Sequence, residues 1–90
     1  MSTIKTSAIR KKDSHYMKQA LKLARKAYDQ QEIPVGAIIV DQQGTIIGRG
    51  YNRVEQRNDV TAHAELYALA RAGKKQNNWR LNGCWLYVTL

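Results

Sequence analysis

The stretch Pro34-Val35-Gly36-Ala37-Ile38-Ile39-Val40-Asp41-Gln42-Gln43-Gly44-Thr45-Ile46-Ile47-Gly48-Arg49-Gly50-Tyr51 decides the fold. Pro34 blocks helix, because its ring fixes φ and removes a backbone donor. Val35–Val40 is then apolar, largely β-branched and without alternation, the pattern of a buried strand. Asp41-Gln42-Gln43-Gly44 supplies a turn, and Thr45–Tyr51 reads as the antiparallel return strand.

Upstream of this hairpin, Met17, Ala20, Leu21, Ala24, Ala27 and Tyr28 recur at helical spacing from Asp13 to about Asp29. Lys18, Lys22, Arg25 and Lys26 take much of the other side, and Asp13 or Ser14 can cap the first turn. Downstream, Asn52–Val60 is polar with alternating charge and reads as a loop. A second helix is predicted from near Thr61 to about Ala72, with Gly73 placed to end it. Lys74–Gly83 reads as a polar connection, and Cys84–Leu90 as a third strand alternating around Leu86, Val88 and Leu90. Helix, hairpin, helix, strand implies an α/β layered domain with helices over at least one face of the sheet. A β–α–β crossover into the third strand would make its pairing parallel and leave it an open edge.

Ninety residues suit one small domain, here 13–90 behind a basic tail at 1–12. A 43% hydrophobic content is enough for a core and argues against disorder throughout. No apolar run is long enough to span a bilayer. The tail lacks the apolar segment of a secretory signal; its basic, acid-free composition fits a transit peptide or a solvated, mobile end. One cysteine, Cys84, excludes an internal disulfide framework and fits a reducing cytoplasm. The formal charge of +8, fifteen Lys and Arg against seven Asp and Glu, favours a polyanionic partner such as nucleic acid.

The chemistry concentrates in Thr61-Ala62-His63-Ala64-Glu65 at the opening of the second helix. Residues two apart diverge by about 200° around a helix, so mid-helix they share no target. In the first turn both can approach a point beyond the helix tip, because each Cα–Cβ bond leans toward the N-terminus. The macrodipole there favours a neutral imidazole and an ionised carboxylate. That geometry suits a zinc hydrolase in which His63 ligates the metal and Glu65 moves a proton from attacking water to the leaving group. On spacing alone a structural reading also stands, with His63 bonded to a loop carbonyl and Glu65 favoured by the helix N-terminus.

Around this segment the chain resembles the bacterial-type tRNA adenosine deaminases of the cytidine deaminase-like superfamily. The resembling stretches are His15-Tyr16-Met17, Ala20–Ala24, Ile33–Ala37, Gly50-Tyr51-Asn52-Arg53, Asp59–Glu65 and Leu86–Leu90, in matching order from about Asp13 to Leu90. The family's known signature is His-x-Glu followed by Pro-Cys-x-x-Cys. The resemblance implies a cytidine deaminase-like α/β/α layered domain cut after its third strand. The implied activity is zinc-dependent hydrolytic conversion of adenosine to inosine at the wobble position of tRNA. It implies His63 as the histidine zinc ligand, Glu65 as the proton shuttle and Asn52 as the asparagine that hydrogen-bonds the flipped base. Ile33, Pro34, Val35 and Ala64 would complete the substrate pocket, and homodimers are the family's habit. Asn52 is also a residue type common where a strand gives way to a loop, and Pro34–Gly36 equally reads as a helix-to-strand turn.

Two departures stand out. Val60 sits where the family usually has proline before Thr-Ala-His-Ala-Glu, and the sequence ends at Leu90, where family members continue into Glu-Pro-Cys-x-x-Cys. A catalytic zinc takes three protein ligands, and one is recognisable here. Cys84 lies about 20 Å, at strand rise, from where the missing ligands would begin, and His15 has no motif around it. The expectation is an inactive chain on its own, unless a second polypeptide supplies the cysteine half.

Candidate phosphate contacts for a tRNA anticodon arm are Arg49, Arg53 and Arg57 near the pocket loop, and Lys74, Lys75 and Arg80 after the second helix. Trp79, Trp85, Tyr51 and Tyr87 offer stacking surface, with Trp85 and Tyr87 expected in the core. Competing functional readings are another nucleobase or nucleoside deaminase (cytosine, guanine) and a basic RNA-binding remnant without chemistry.

Overall fold

The computed structural model describes residues 4–6 and 13–89, comprising β1 (Ile4–Thr6), α1 (Asp13–Asp29), β2 (Gly36–Val40), β3 (Ile46–Tyr51), α2 (Val54–Arg57), α3 (Ala64–Gln76) and β4 (Cys84–Val88). The sheet runs β1-β4-β2-β3. All five positions of β2 are buried because the strand is covered on both sides. Ala37 and Ile39 pack with Ala64, Ala68 and Ala72 of α3, while Ile38 and Val40 pack with Tyr16 of α1 and Tyr87. The architecture is therefore α/β/α, and the unbroken apolar run in the sequence records that double burial. No helix among the described residues is long and apolar enough to cross a membrane.

Both helices meet the sheet at unusually short range, and glycines make this possible. A Cβ on Gly48 would lie 2.1 Å from the Ala68 carbonyl oxygen, and one on Gly50 would lie 2.2 Å from that of Ala64. On the other face, a Cβ on Gly36 would come within 2.1 Å of the Ala20 carbonyl oxygen. Helix backbone resting on strand backbone admits only small residues between them. Hence α1 turns Ala20, Ala24 and Ala27 inward and α3 turns Ala64, Ala68 and Ala72. The missing side chain at Gly36 thus admits α1. The same constraint displaces the larger residues of the predicted apolar face: Leu21 is 52% exposed and Tyr28 61%.

The hairpin forms as expected. Asp41 Oδ1 accepts the backbone N–H groups of Gln43 and Thr45 (2.9 Å each), Gly44 takes φ 85°, and the Tyr16 hydroxyl donates to the Gly44 carbonyl at 2.9 Å. Tyr87 joins the layers on the same face: its ring lies 5.2 Å from Tyr16, and its hydroxyl donates to Asp13 Oδ1 at 2.5 Å. Tyr87 is fully buried and Trp85 half-buried, so both belong to the core as expected.

Four features depart from the sequence reading. The crossover through α3 does not give a parallel neighbour, since β4 pairs antiparallel with β2 in the register Ala37↔Val88 to Val40↔Trp85. β3 is also antiparallel to β2; β3 and β4 thus run in one direction with β2 between them, because α3 passes over β2 before the chain descends. Part of the predicted tail, Ile4–Thr6, lies parallel along Cys84–Leu86 and covers that stretch of the edge; the rest of 1–12 lies outside the described residues. A short helix, α2, interrupts the segment predicted to be loop. Finally, α3 starts at Ala64 and runs through Gly73 to Gln76. Asn77 ends it at φ 54°, its N–H bonded to the Lys74 carbonyl and that of Asn78 to Gly73 at 3.0 Å. An αL asparagine stops the helix as a glycine would.

Candidate functional site

The site grows from the point where β3 hands the chain to the loop before α3. Asn52 follows the strand directly, is 4% exposed, and donates its backbone N–H to the Val35 carbonyl at 3.1 Å. Its side-chain Oδ1 accepts the Ala64 backbone N–H at 2.9 Å. A residue twelve positions upstream thus supplies the oxygen that an N-cap side chain normally gives. The local N-cap, His63, has extended backbone (φ −93°, ψ 150°) and makes no side-chain cap bond. His63 therefore precedes the helix instead of sitting in its first turn, and its exposed side chain is released from capping. Glu65 is in the first turn of α3 and half-buried.

The preceding turn is held by Asp59, whose Oδ1 accepts both the Thr61 N–H (2.9 Å) and the Thr61 hydroxyl (2.7 Å). Those bonds, with a smaller contribution from the charge of Arg57, hold the Asp59 carboxyl below the usual carboxylate range. Val60, where a proline was expected, is exposed beside this turn.

A cavity of about 100 Å³ opens here, lined by Glu32, Ile33, Asn52, Val54, Glu55 and His63. Three residues singled out in the sequence, Ile33, Asn52 and His63, are thus brought to one small space. Pro34, Val35, Ala64 and Glu65 do not line it. Pro34 is exposed, Val35 packs against the core on the α3 side, and the Ala64 side chain is fully buried against the sheet. Glu32 was missed. It is 5% exposed, and its two oxygens accept the backbone N–H groups of Glu55 (3.0 Å) and Gln56 (2.7 Å). No local sequence signal marks a bond spanning more than twenty residues.

A larger hollow of about 790 Å³ lies along the far half of α3, lined by Leu69, Ala70, Gly73, Lys74, Asn77, Asn78, Trp79 and Leu81. It is open and mostly apolar, and its nearest helical residues are about 10–15 Å along the axis from His63. Size does not make it the chemical site, because the only titratable side chain there is Lys74. Trp79 is 72% exposed, with the Arg80 guanidinium 5.0 Å from its ring.

Among the described residues, no three His, Cys, Asp or Glu side chains come together to hold a metal ion. His63 is one donor, and the Glu32 oxygens at the same cavity are engaged with backbone. These residues do not by themselves fit a catalytic zinc, which takes three protein ligands. Cys84 is fully buried in the core, and burial, with the negative charge of Asp41, pushes its thiol up. A raised thiol is a poor metal ligand, so Cys84 is structural.

Beside the cavity runs a ladder of cations on aromatic rings. Arg53 lies 5.8 Å from the Tyr51 ring and 5.9 Å from Tyr67. Lys26 approaches Tyr51 at 5.2 Å and Arg71 approaches Tyr67 at 5.2 Å. Arg71 also donates to the Arg49 carbonyl at 2.8 Å. Arg49, Arg57, Lys74 and Lys75 are exposed, the last two at the C-terminal end of α3 and away from the cavity. Lys26, Tyr67 and Arg71 were not singled out from sequence; the i,i+4 spacing of Tyr67 and Arg71 was the available signal.

The comparisons with known proteins agree with this architecture. The chain is 52% identical over 79 residues to a tRNA-specific adenosine deaminase of Buchnera aphidicola, covering 88% of this chain and 52% of that protein. It is 47% identical over 76 residues to one of Aquifex aeolicus, covering 84% and 50%. A structure from work on A-to-I editing by tRNA:A34 deaminases superposes with a TM-score of 0.79 at 43% identity, covering 84% of this chain and 54% of that one. Guanine deaminase from Bacillus subtilis superposes at 0.77 with 38% identity, covering 83% and 48%. The chain therefore spans about half the length of these relatives. Residues 10–90 match the cytidine and deoxycytidylate deaminase zinc-binding region, and the chain belongs to that family.

Proposed function

We propose that this chain is the base-recognition half of a zinc-dependent deaminase that converts adenosine to inosine at the tRNA wobble position. The observation that carries the reading is the cavity where Ile33, Asn52 and His63 meet at the tip of α3. With its Oδ1 given to Ala64, Asn52 offers its amide NH₂ to a ring nitrogen of an extruded base. Ile33 supplies an apolar wall. His63 would be one metal donor, and Glu65, in the first turn of α3 just outside the cavity lining, would move a proton between attacking water and the departing amine once the remaining metal donors are supplied. The cations on Tyr51 and Tyr67 give the RNA backbone a positive approach beside the cavity.

Likeness to a guanine deaminase at 38% identity favours a second reading, a free-base or nucleoside deaminase. Fluorescence anisotropy separates the two. A labelled anticodon stem-loop is expected to bind this chain and to weaken as salt rises. Arg53→Ala should weaken it about threefold to tenfold, the cost of one solvent-screened hydrogen-bonded contact. Stem-loop binding no tighter than to an unrelated hairpin, with free guanine or nucleosides bound instead, would favour the second reading.

A further inference from the structure

Glu32 carries a role that the deaminase reading does not assign. It is a carboxylate 5% exposed, on the α1–β2 connection, and both oxygens are engaged by backbone amides of α2. A second tie joins the same two segments, since the Gln56 side-chain amide donates to Gln30 Oε1. The clamp borders the cavity directly: Glu32 and Ile33 form one wall, Val54 and Glu55 the next, and Asn52 and His63 close it. α2 has only four residues and none is buried, so little apolar packing holds it in place. Its remaining anchors are the bond from Arg53 Nε to Gln56 Oε1 at 3.1 Å and backbone bonds within its own turn and into the following loop, such as Asp59 N–H to the Val54 carbonyl at 3.1 Å.

We infer that Glu32 is a positioning residue: by gripping the amides of Glu55 and Gln56 it holds α2 against the cavity and sets the width left for a base. The inference rests on reading that cavity as the base site. A space of about 100 Å³ is small against the roughly 300–1,000 Å³ of pockets that engulf drug-sized ligands. A small outward movement of α2 therefore changes which ring system fits. Glutamine at position 32 keeps the shape but replaces one acceptor with an NH₂ that faces a backbone N–H, so one of the two bonds is lost.

The test uses amide exchange followed by NMR on the 90-residue chain and on Glu32→Gln. The Glu55 and Gln56 amides are expected to exchange about tenfold faster or more in the variant, the loss of one hydrogen bond to a charged group. Amides of Ile38, Ile39 and Ala68 should keep their protection, which shows that the fold survives. Purine riboside and 2-pyrimidinone riboside are then titrated against both proteins, reading the Ala64 and His63 amides. The wild-type chain should prefer the purine, and Glu32→Gln should lower that preference several-fold, a change that general loosening would not produce. Unchanged exchange at Glu55 and Gln56 overturns the clamp. Faster exchange with an unchanged purine preference overturns its control of cavity width. A wild-type chain that binds neither riboside defeats the base-site reading itself, while amide exchange still decides whether the clamp exists.

Discussion

Gly50→Ala is expected to destabilise the fold by about 3 kcal/mol or more. The new Cβ would sit 2.2 Å from the Ala64 carbonyl oxygen and 2.9 Å from the Ala68 amide nitrogen. These are helix backbone atoms, and no rotamer change moves them aside. Relief requires lifting α3 off β3, which strips burial from Ala64, Ala68, Ala72 and Ile47 together. Ordinary overpacking costs about 1–3 kcal/mol, and a backbone collision belongs at or above the top of that range. A domain of this size has only about 5–13 kcal/mol of total stability at typical per-residue values. The control is Gly73→Ala, where the nearest heavy atoms are 3.7 and 3.9 Å away inside α3. It should stabilise by about 0.5–1 kcal/mol through helix propensity. Urea denaturation followed by circular dichroism reads both; similar midpoints for the two variants would refute the close-contact account of the fold.

The second large effect concerns chemistry. The purified 90-residue chain is expected to carry far less than one zinc per polypeptide and to form no inosine from an adenosine-containing anticodon stem-loop. The reason is the donor set: among the described residues His63 does not come together with two further His, Cys, Asp or Glu side chains that could hold a metal ion, and Cys84 is buried in the core. A lone imidazole does not hold zinc tightly enough to make hydroxide from water near neutral pH. Metal analysis and nucleoside chromatography after RNA digestion measure both quantities. Stoichiometric zinc with turnover would contradict this assignment of ligands. Adding a polypeptide that bears a Pro-Cys-x-x-Cys segment is the way activity would be gained.

Much of this architecture was legible because its signals are local. Val35–Val40 announced a buried strand through composition, Asp41–Gly44 announced the turn, and the apolar spacing from Met17 to Tyr28 announced the first helix. Ile33, Asn52 and His63 could be nominated together through resemblance, and the fold gathers them around one cavity. What escaped was set by partners distant in sequence. The start of α3 moved to Ala64 because Asn52 reaches across twelve positions to cap it. Val54–Arg57 coils because Glu32 accepts its amides from the other side of the hairpin. β1 has three residues and takes its pairing from Cys84–Leu86, so no periodicity reveals it. The order of strands followed from the path of α3 over β2, which the run of elements along the chain leaves open.

The most direct measurement is an NMR titration of the labelled chain with two anticodon stem-loops that differ only in carrying adenosine or guanosine at the wobble position. The account predicts that the adenosine stem-loop shifts the Asn52 side-chain amide and the Ala64 and His63 backbone amides, while the guanosine one moves only the basic surface around Arg53 and Arg71. Identical shifts with both RNAs, or changes confined to Trp79 and the far end of α3, would contradict it.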